Sequence, residues 1–316
     1  MIRSLYHATH IPEAPRPHDS LHLKVYYPAA ASGSQAERMS GIIPADLSHA
    51  PLPVLIFCNG INVGAESYHW LAVQLAAAAN LVVVLYNHIA ATLPNVIGLT
   101  PAIDLARVRP DTYGSGPTCP AIQPILDALH HLHTNPSSPL HNALDLETII
   151  LGGHSAGGTI ALHNGLFFPA VKAVFAYAGH TMASTMLGFP PGTVLNIADK
   201  PTLLLRGDQD GVIAASRGRY GPETVDKDPV ARTFDEAYPE PHHSPIYDAL
   251  ITGANHFSIV YPLDETSGRS FLDQPTTRPD ADIRADIVTL ITTFITKHIR
   301  GQNLELTAPH TIIRHK

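Results

Sequence analysis

The sequence predicts an α/β domain: a mainly parallel, twisted sheet with helices on both faces and insertions over its carboxyl edge. Two observations carry this. Val54-Leu55-Ile56-Phe57-Cys58 and Leu81-Val82-Val83-Val84-Leu85-Tyr86 are continuously apolar, as strands covered on both faces must be. Between them, Ser67 to about Ala79 places Leu71, Leu75, Ala78 and Ala79 on one helical side. Strand, helix and strand in that order make a parallel βαβ unit. A third run, Thr148-Ile149-Ile150-Leu151, passes through Gly152-Gly153-His154-Ser155-Ala156-Gly157-Gly158 into a further helix-compatible stretch. This repeats the strand-to-helix pattern around a very tight turn.

The other elements follow in chain order. Residues 1–20 are polar and Pro-rich and read as an irregular arm. Leu21 to Tyr27 alternates and stops at Pro28, as a half-buried early strand would, and 29–52 reads as a loop. Residues 88–119 hold four prolines and little periodicity, and a connection of that length inside a compact domain is usually functional. A helix is expected from about Pro120 to His133, and strands at Val171–Ala178, Thr202–Leu205 and Ala249–Thr252. Segments 179–200 and 214–247 read as further insertions, lid-like in position. Ile283, Ile287, Leu290, Ile291, Phe294 and Ile295 recur at helical spacing in a closing helix that stops at Gly301. No repeat or linker divides residues 1–316, so a single domain is expected.

Composition narrows the function classes. With 316 residues, 45% of them hydrophobic, the chain can bury a large core. The net charge of −7 is spread without blocks, which argues against a nucleic-acid partner. No run is long enough for an integral membrane segment, and Met1 to Pro28 lacks the apolar core of a secretory signal, so a cytoplasmic protein is the expectation. Two cysteines do not make a disulfide scaffold: Cys58 reads as a buried thiol, Cys119 lies in a Gly/Pro-rich loop, and a bridge between them is left open.

The chemistry centres on the tight turn. Acyl transfer from an ester needs a nucleophile, a base, an anion to orient the base, and donors for the oxyanion. Ser155 stands where a strand hands over to a helix, with glycines two positions to either side. His256 lies just past the last expected strand, and Asp210 just past the strand before it, so both belong to the same sheet edge as Ser155. Asp208 competes with Asp210 for the orienting role. His154 should point away from the nucleophile and pack. His130, His131 and His133 do not converge on one point of a helix and read as surface residues, so neither a metal nor a cofactor is expected. Asp104 and Asp111 have no evident partner, and Tyr68 and Trp70 read as helix core.

Asn59-Gly60-Ile61, Gly153-His154-Ser155-Ala156-Gly157-Gly158, Gly207-Asp208-Gln209-Asp210 and Gly253-Ala254-Asn255-His256-Phe257 together resemble the α/β-hydrolase superfamily, over roughly residues 50–300. The chain is most similar to the branch of dienelactone hydrolases, cutinase-like polyesterases and chlorophyllases. The resemblance implies an α/β-hydrolase fold, a serine esterase with Ser155, Asp210 and His256 as triad, and an oxyanion hole from the backbone N–H groups of Ile61 and Ala156. It also favours Asp210 over Asp208 by spacing. Dienelactone hydrolases use Cys as nucleophile, so Ser155 argues for a carboxylic ester instead. Many relatives carry His or Pro where this chain has Asn59. The expected substrate is a small-molecule ester with an apolar part; a chlorophyllase-like pigment or lipid ester is the alternative. A non-catalytic binding protein, and lyase or perhydrolase chemistry on the same fold, also stay open. Met182, Met186 and Phe189 in the 179–200 insertion either line the substrate pocket or pack the insertion onto the domain. The sequence leaves the oligomeric state open.

Overall fold

The computed structural model describes residues 1–93, 96–222 and 226–316. Its centre is five parallel strands in the order β4 (Val82–Leu93), β3 (Leu52–Cys58), β6 (Leu144–His154), β7 (Val171–Tyr177) and β8 (Thr202–Gly207), continued by parallel β9 (Ile246–Ile251). Antiparallel strands extend both edges: β2 (Ser20–Pro28) and β1 (Ile2–His10) beyond β4, and β10 (Thr311–His315) beyond β9.

The apolar runs form central strands because every second side chain enters a different core. Along β3, Val54, Ile56 and Cys58 join one buried cluster and Leu55 and Phe57 join the other. Helices α2 (His69–Ala79) and α7 (Asp280–Ile299) cover the second cluster, through Leu71, Leu75, Ile287 and Phe294. The first is covered by α3 (Ile122–Thr134), α4 (Ala156–Asn164) and α6 (Pro229–Glu236), through Ile125, Ile160 and Phe234.

The structure corrects several expectations. Residues 1–20 are not an irregular arm throughout, since Ile2–His10 is an edge strand in register with β2. The loop 29–52 contains a short exposed helix, α1 (Gln35–Ser40). Segment 88–119 opens with a hairpin: β4 runs on and pairs with β5 (Val96–Leu99). Segment 214–247 contains the second half of α5 (Gly211–Ser216) and all of α6, the latter capped by Asp228 with Pro229 in its first turn. Residues 94–95 and 223–225 of these two segments lie outside the described residues. Cys58 and Cys119 are both free and buried. No helix among the described residues is long and apolar enough to cross a membrane.

Candidate active site

All the candidate groups emerge beyond the carboxyl ends of parallel strands, β3, β6, β8 and β9. β6 delivers Ser155, which takes φ 55° and ψ −122° between strand and helix. A non-glycine residue there is strained, and the surroundings hold it in place. Ser155 N–H donates to Tyr177 O at 2.8 Å, and Ser155 O accepts Thr159 N–H at 3.0 Å. The two flanking glycines are steric requirements. A Cβ at Gly153 would collide with the backbone of Gly157 and Gly158, and one at Gly157 with the carbonyls of Cys58 and Asn59.

The candidate base and its candidate anion meet because their strands, β9 and β8, are neighbours. His256, 2% exposed, approaches Asp210 with Nδ1 to Oδ2 at 2.8 Å. A carboxylate only accepts, so Nδ1 carries the proton and Nε2 is left as the basic nitrogen. The other oxygen of Asp210 accepts Ile213 N–H at 2.7 Å and caps α5, which fixes the carboxylate. Asp208 is used elsewhere: its Oδ1 accepts Gly253 N–H at 2.8 Å and ties the β8 loop to the β9 loop. Among the described residues, no hydrogen bond joins Ser155 Oγ to His256. Such contacts commonly tighten only with substrate bound.

Ile61 and Ala156 share one position in the register. Cys58 pairs with Gly153, and each candidate donor lies three residues beyond its member of that pair. Ala156 opens α4, where the first N–H groups have no helical acceptor and the helix dipole favours negative charge. Among the described residues, neither N–H donates to another group. The 61–62 turn is held from outside by the 88–119 segment and by the chain after β9. Asn62 N–H donates to Leu99 O at 2.8 Å, and Ser267 Oγ donates to Asn62 O at 2.9 Å.

His154 does more than pack. It is wholly buried, and burial and the neighbouring His256 push its pKa well below the ordinary value, so it is neutral. Its Nε2 lies 3.0 Å from His256 O, and its Nδ1 2.7 Å from Tyr68 Oη. A carbonyl cannot donate, so the proton is on Nε2, and Tyr68 must donate to Nδ1. Tyr68 Oη in turn accepts Gly60 N–H at 3.1 Å. A continuous buried chain therefore runs from the residue before Ile61 to the carbonyl of His256. Spacing alone could not reveal it, because its links join residues near 60–68, at 154 and at 256, far apart in the sequence.

The insertion residues divide. Phe189 is 7% exposed in a satellite cluster with Val108, Ala183 and Leu195, and Met182 is also buried. Phe189 therefore packs the insertion against Val108 of the 88–119 segment, which fits the packing alternative for that residue. Met186 is 83% exposed. A groove of about 420 Å³ lies next to the loop that carries His256, lined by Phe257, Leu263, Phe271 and Pro275 with Asp273 and Glu265 and without Ser155 or His256 in its lining. The α3 histidines are dispersed: His131 stacks on His7, and His133 Nδ1 accepts Leu144 N–H. Among the described residues, no three metal-binding side chains converge.

This sheet order, with the tight strand-to-helix turn at Ser155, makes the α/β-hydrolase fold. No family model and no curated protein matches the sequence. Among solved structures the chain is similar to a ferulic acid esterase from Streptomyces cinnamoneus, with a TM-score of 0.60 and 16% identity over 99% of this chain and 95% of that one. At that identity the likeness is one of fold.

Proposed function

We propose that this protein is a serine esterase that cleaves a carboxylic ester through an acyl-enzyme. The observation that carries the reading is the 2.8 Å His256–Asp210 hydrogen bond, made at the same sheet edge as a serine held at φ 55°. In this reading His256 Nε2 takes the proton of Ser155 as Oγ attacks the ester carbonyl. Asp210 holds the imidazole in the needed tautomer and stabilises the imidazolium. The Ile61 and Ala156 N–H groups receive the oxyanion. The imidazolium then protonates the departing alkoxide, and water, activated by the same nitrogen, releases the acid. The apolar part of the ester lies in the groove beside Phe257, Leu263 and Phe271.

The test is hydrolysis of a nitrophenyl ester series by the wild type and by Ser155→Ala. The variant should lose on the order of 10⁶ in kcat with unchanged Tm. A serine-directed phosphonate should label Ser155 alone. Retention of more than a few per cent of activity, or labelling elsewhere, would refute the assignment.

A further inference from the structure

We propose that Asp273 is a positioning residue, a carboxylate that clamps the loop carrying Asp210 to the loop carrying His256; this rests on the ester-hydrolase reading above. Asp273 lies between the last strand of the parallel core and α7, in a segment to which the sequence assigns no role. Its Oδ1 accepts the N–H of Gly211 at 2.9 Å, and its Oδ2 accepts the N–H of Phe257 at 3.1 Å. Gly211 directly follows Asp210, and Phe257 directly follows His256. One carboxylate thus spans the residues next to the acid and next to the base. Any shift of either loop must lengthen one of these two bonds.

Further contacts seat the clamp. Gly211 lies flat on the 272–274 backbone: a Cβ there would strike Leu272 O and come within 3.0 Å of both Asp273 Cα and Gln274 N. Asn255, one residue before His256, donates from Nδ2 to Gln274 O at 2.7 Å. The same short segment therefore grips both loops.

The choice of a carboxylate is itself informative. Among the described residues, no cation pairs with Asp273. Burial and the Asp210 charge raise its pKa above the ordinary carboxylate range. A residue needed only to fold this segment would avoid a half-buried charge beside a second acid. Two short bonds from charge to backbone N–H are stronger than neutral ones, and the charge also faces an imidazole that turns cationic during the reaction. Both effects act on the Asp210–His256 pair.

The test is a double-mutant cycle of Asp273→Ala with Asp210→Asn, read as kcat and KM on a nitrophenyl acetate. In the wild-type background the Asp273→Ala change should lower kcat about 100-fold, the cost of misplacing a catalytic group by about an ångström, with KM within about threefold. In the Asp210→Asn background, where the pair is already unproductive, the same change should cost less than about threefold. A loss of equal size in both backgrounds would overturn the proposal, because a clamp acting only on folding lowers both alike. Asp273→Asn retains one acceptor oxygen and should fall between, about tenfold; it carries the test if the alanine variant fails to fold. A second readout does not depend on turnover. The downfield NMR signal of the His256 Nδ1 proton should be present in wild type and in Ser155→Ala, and broadened or lost in Asp273→Ala. An unchanged signal in Asp273→Ala also overturns the proposal. Failure of the ester reading would appear differently, as a wild type inert on every ester with this NMR contrast intact.

Discussion

Tyr68 Oη is a junction of two buried bonds, accepting from Gly60 N–H and donating to His154 Nδ1. Its helical setting marks Tyr68 as core, and it is fully buried, yet the ring alone could have been Phe. Tyr68→Phe should show what the hydroxyl contributes. The change leaves Gly60 N–H and His154 Nδ1 without partners inside the protein, at a cost of about 1–3 kcal/mol. Because Gly60 precedes Ile61, kcat on a nitrophenyl acetate should also fall about tenfold, within what one perturbed oxyanion donor costs. A lowered Tm with unchanged kcat would assign the chain to folding alone. The candidates Ser155, Asp210 and His256 are legible in the sequence because each lies within a few residues of the carboxyl end of a parallel strand, where the fold constrains position. His154 and Asp273 are not, since their partners are set by how loops fold over that edge.

The same division governs the elements. β3, β4 and β6 are plain in the sequence because burial on both faces requires unbroken apolar runs. β1 and β10 are not, because an edge strand has partly exposed sides and tolerates sequences such as Ile2-Arg3-Ser4-Leu5-Tyr6-His7-Ala8-Thr9-His10. The 179–200 insertion shows where composition leaves a choice: apolar residues over a candidate site suggest a substrate wall, but Phe189 packs with Ala183 and Leu195 of its insertion and with Val108 of the 88–119 segment. Phe271, 81% exposed at the groove, is the wall in the function proposed above. Phe189→Ala should therefore destabilise by about 3 kcal/mol and lower kcat/KM equally for acetate and long-chain esters. Phe271→Ala should leave Tm unchanged and lower kcat/KM about tenfold for long-chain esters only. The reverse pattern would return the wall to the 179–200 insertion.

Across the whole molecule, the unusual feature is the 20 histidines, several of which are buried as neutral rings. Burial pushes the pKa of His180 down to about 4, of His298 to about 4 and of His163 to about 3. Each would titrate near its ordinary value of about 6.5 in the unfolded chain. Their folded values are depressed, so the unfolded chain binds more protons in acid. The stability tied to their burial is complete above about pH 6.5 and is lost progressively as pH falls through about 4 and then 3. Tm should therefore fall steeply between pH 6.5 and 4 in addition to any carboxylate effect. His163 is the most direct to test, because among the described residues neither of its ring nitrogens has a hydrogen-bond partner, and its ring meets Tyr113 edge-on at 5.2 Å. His163→Phe keeps an aromatic ring against Tyr113 while removing a titrating group and two unsatisfied nitrogens. Its Tm should exceed that of the wild type at both pH 8 and pH 5, and by more at pH 5. The unfolding reaction should then take up close to one proton fewer near pH 5, measured from the pH dependence of unfolding free energy. An equal gain at both pH values would mean that His163 finds a proton partner in the folded state and does not contribute to acid sensitivity.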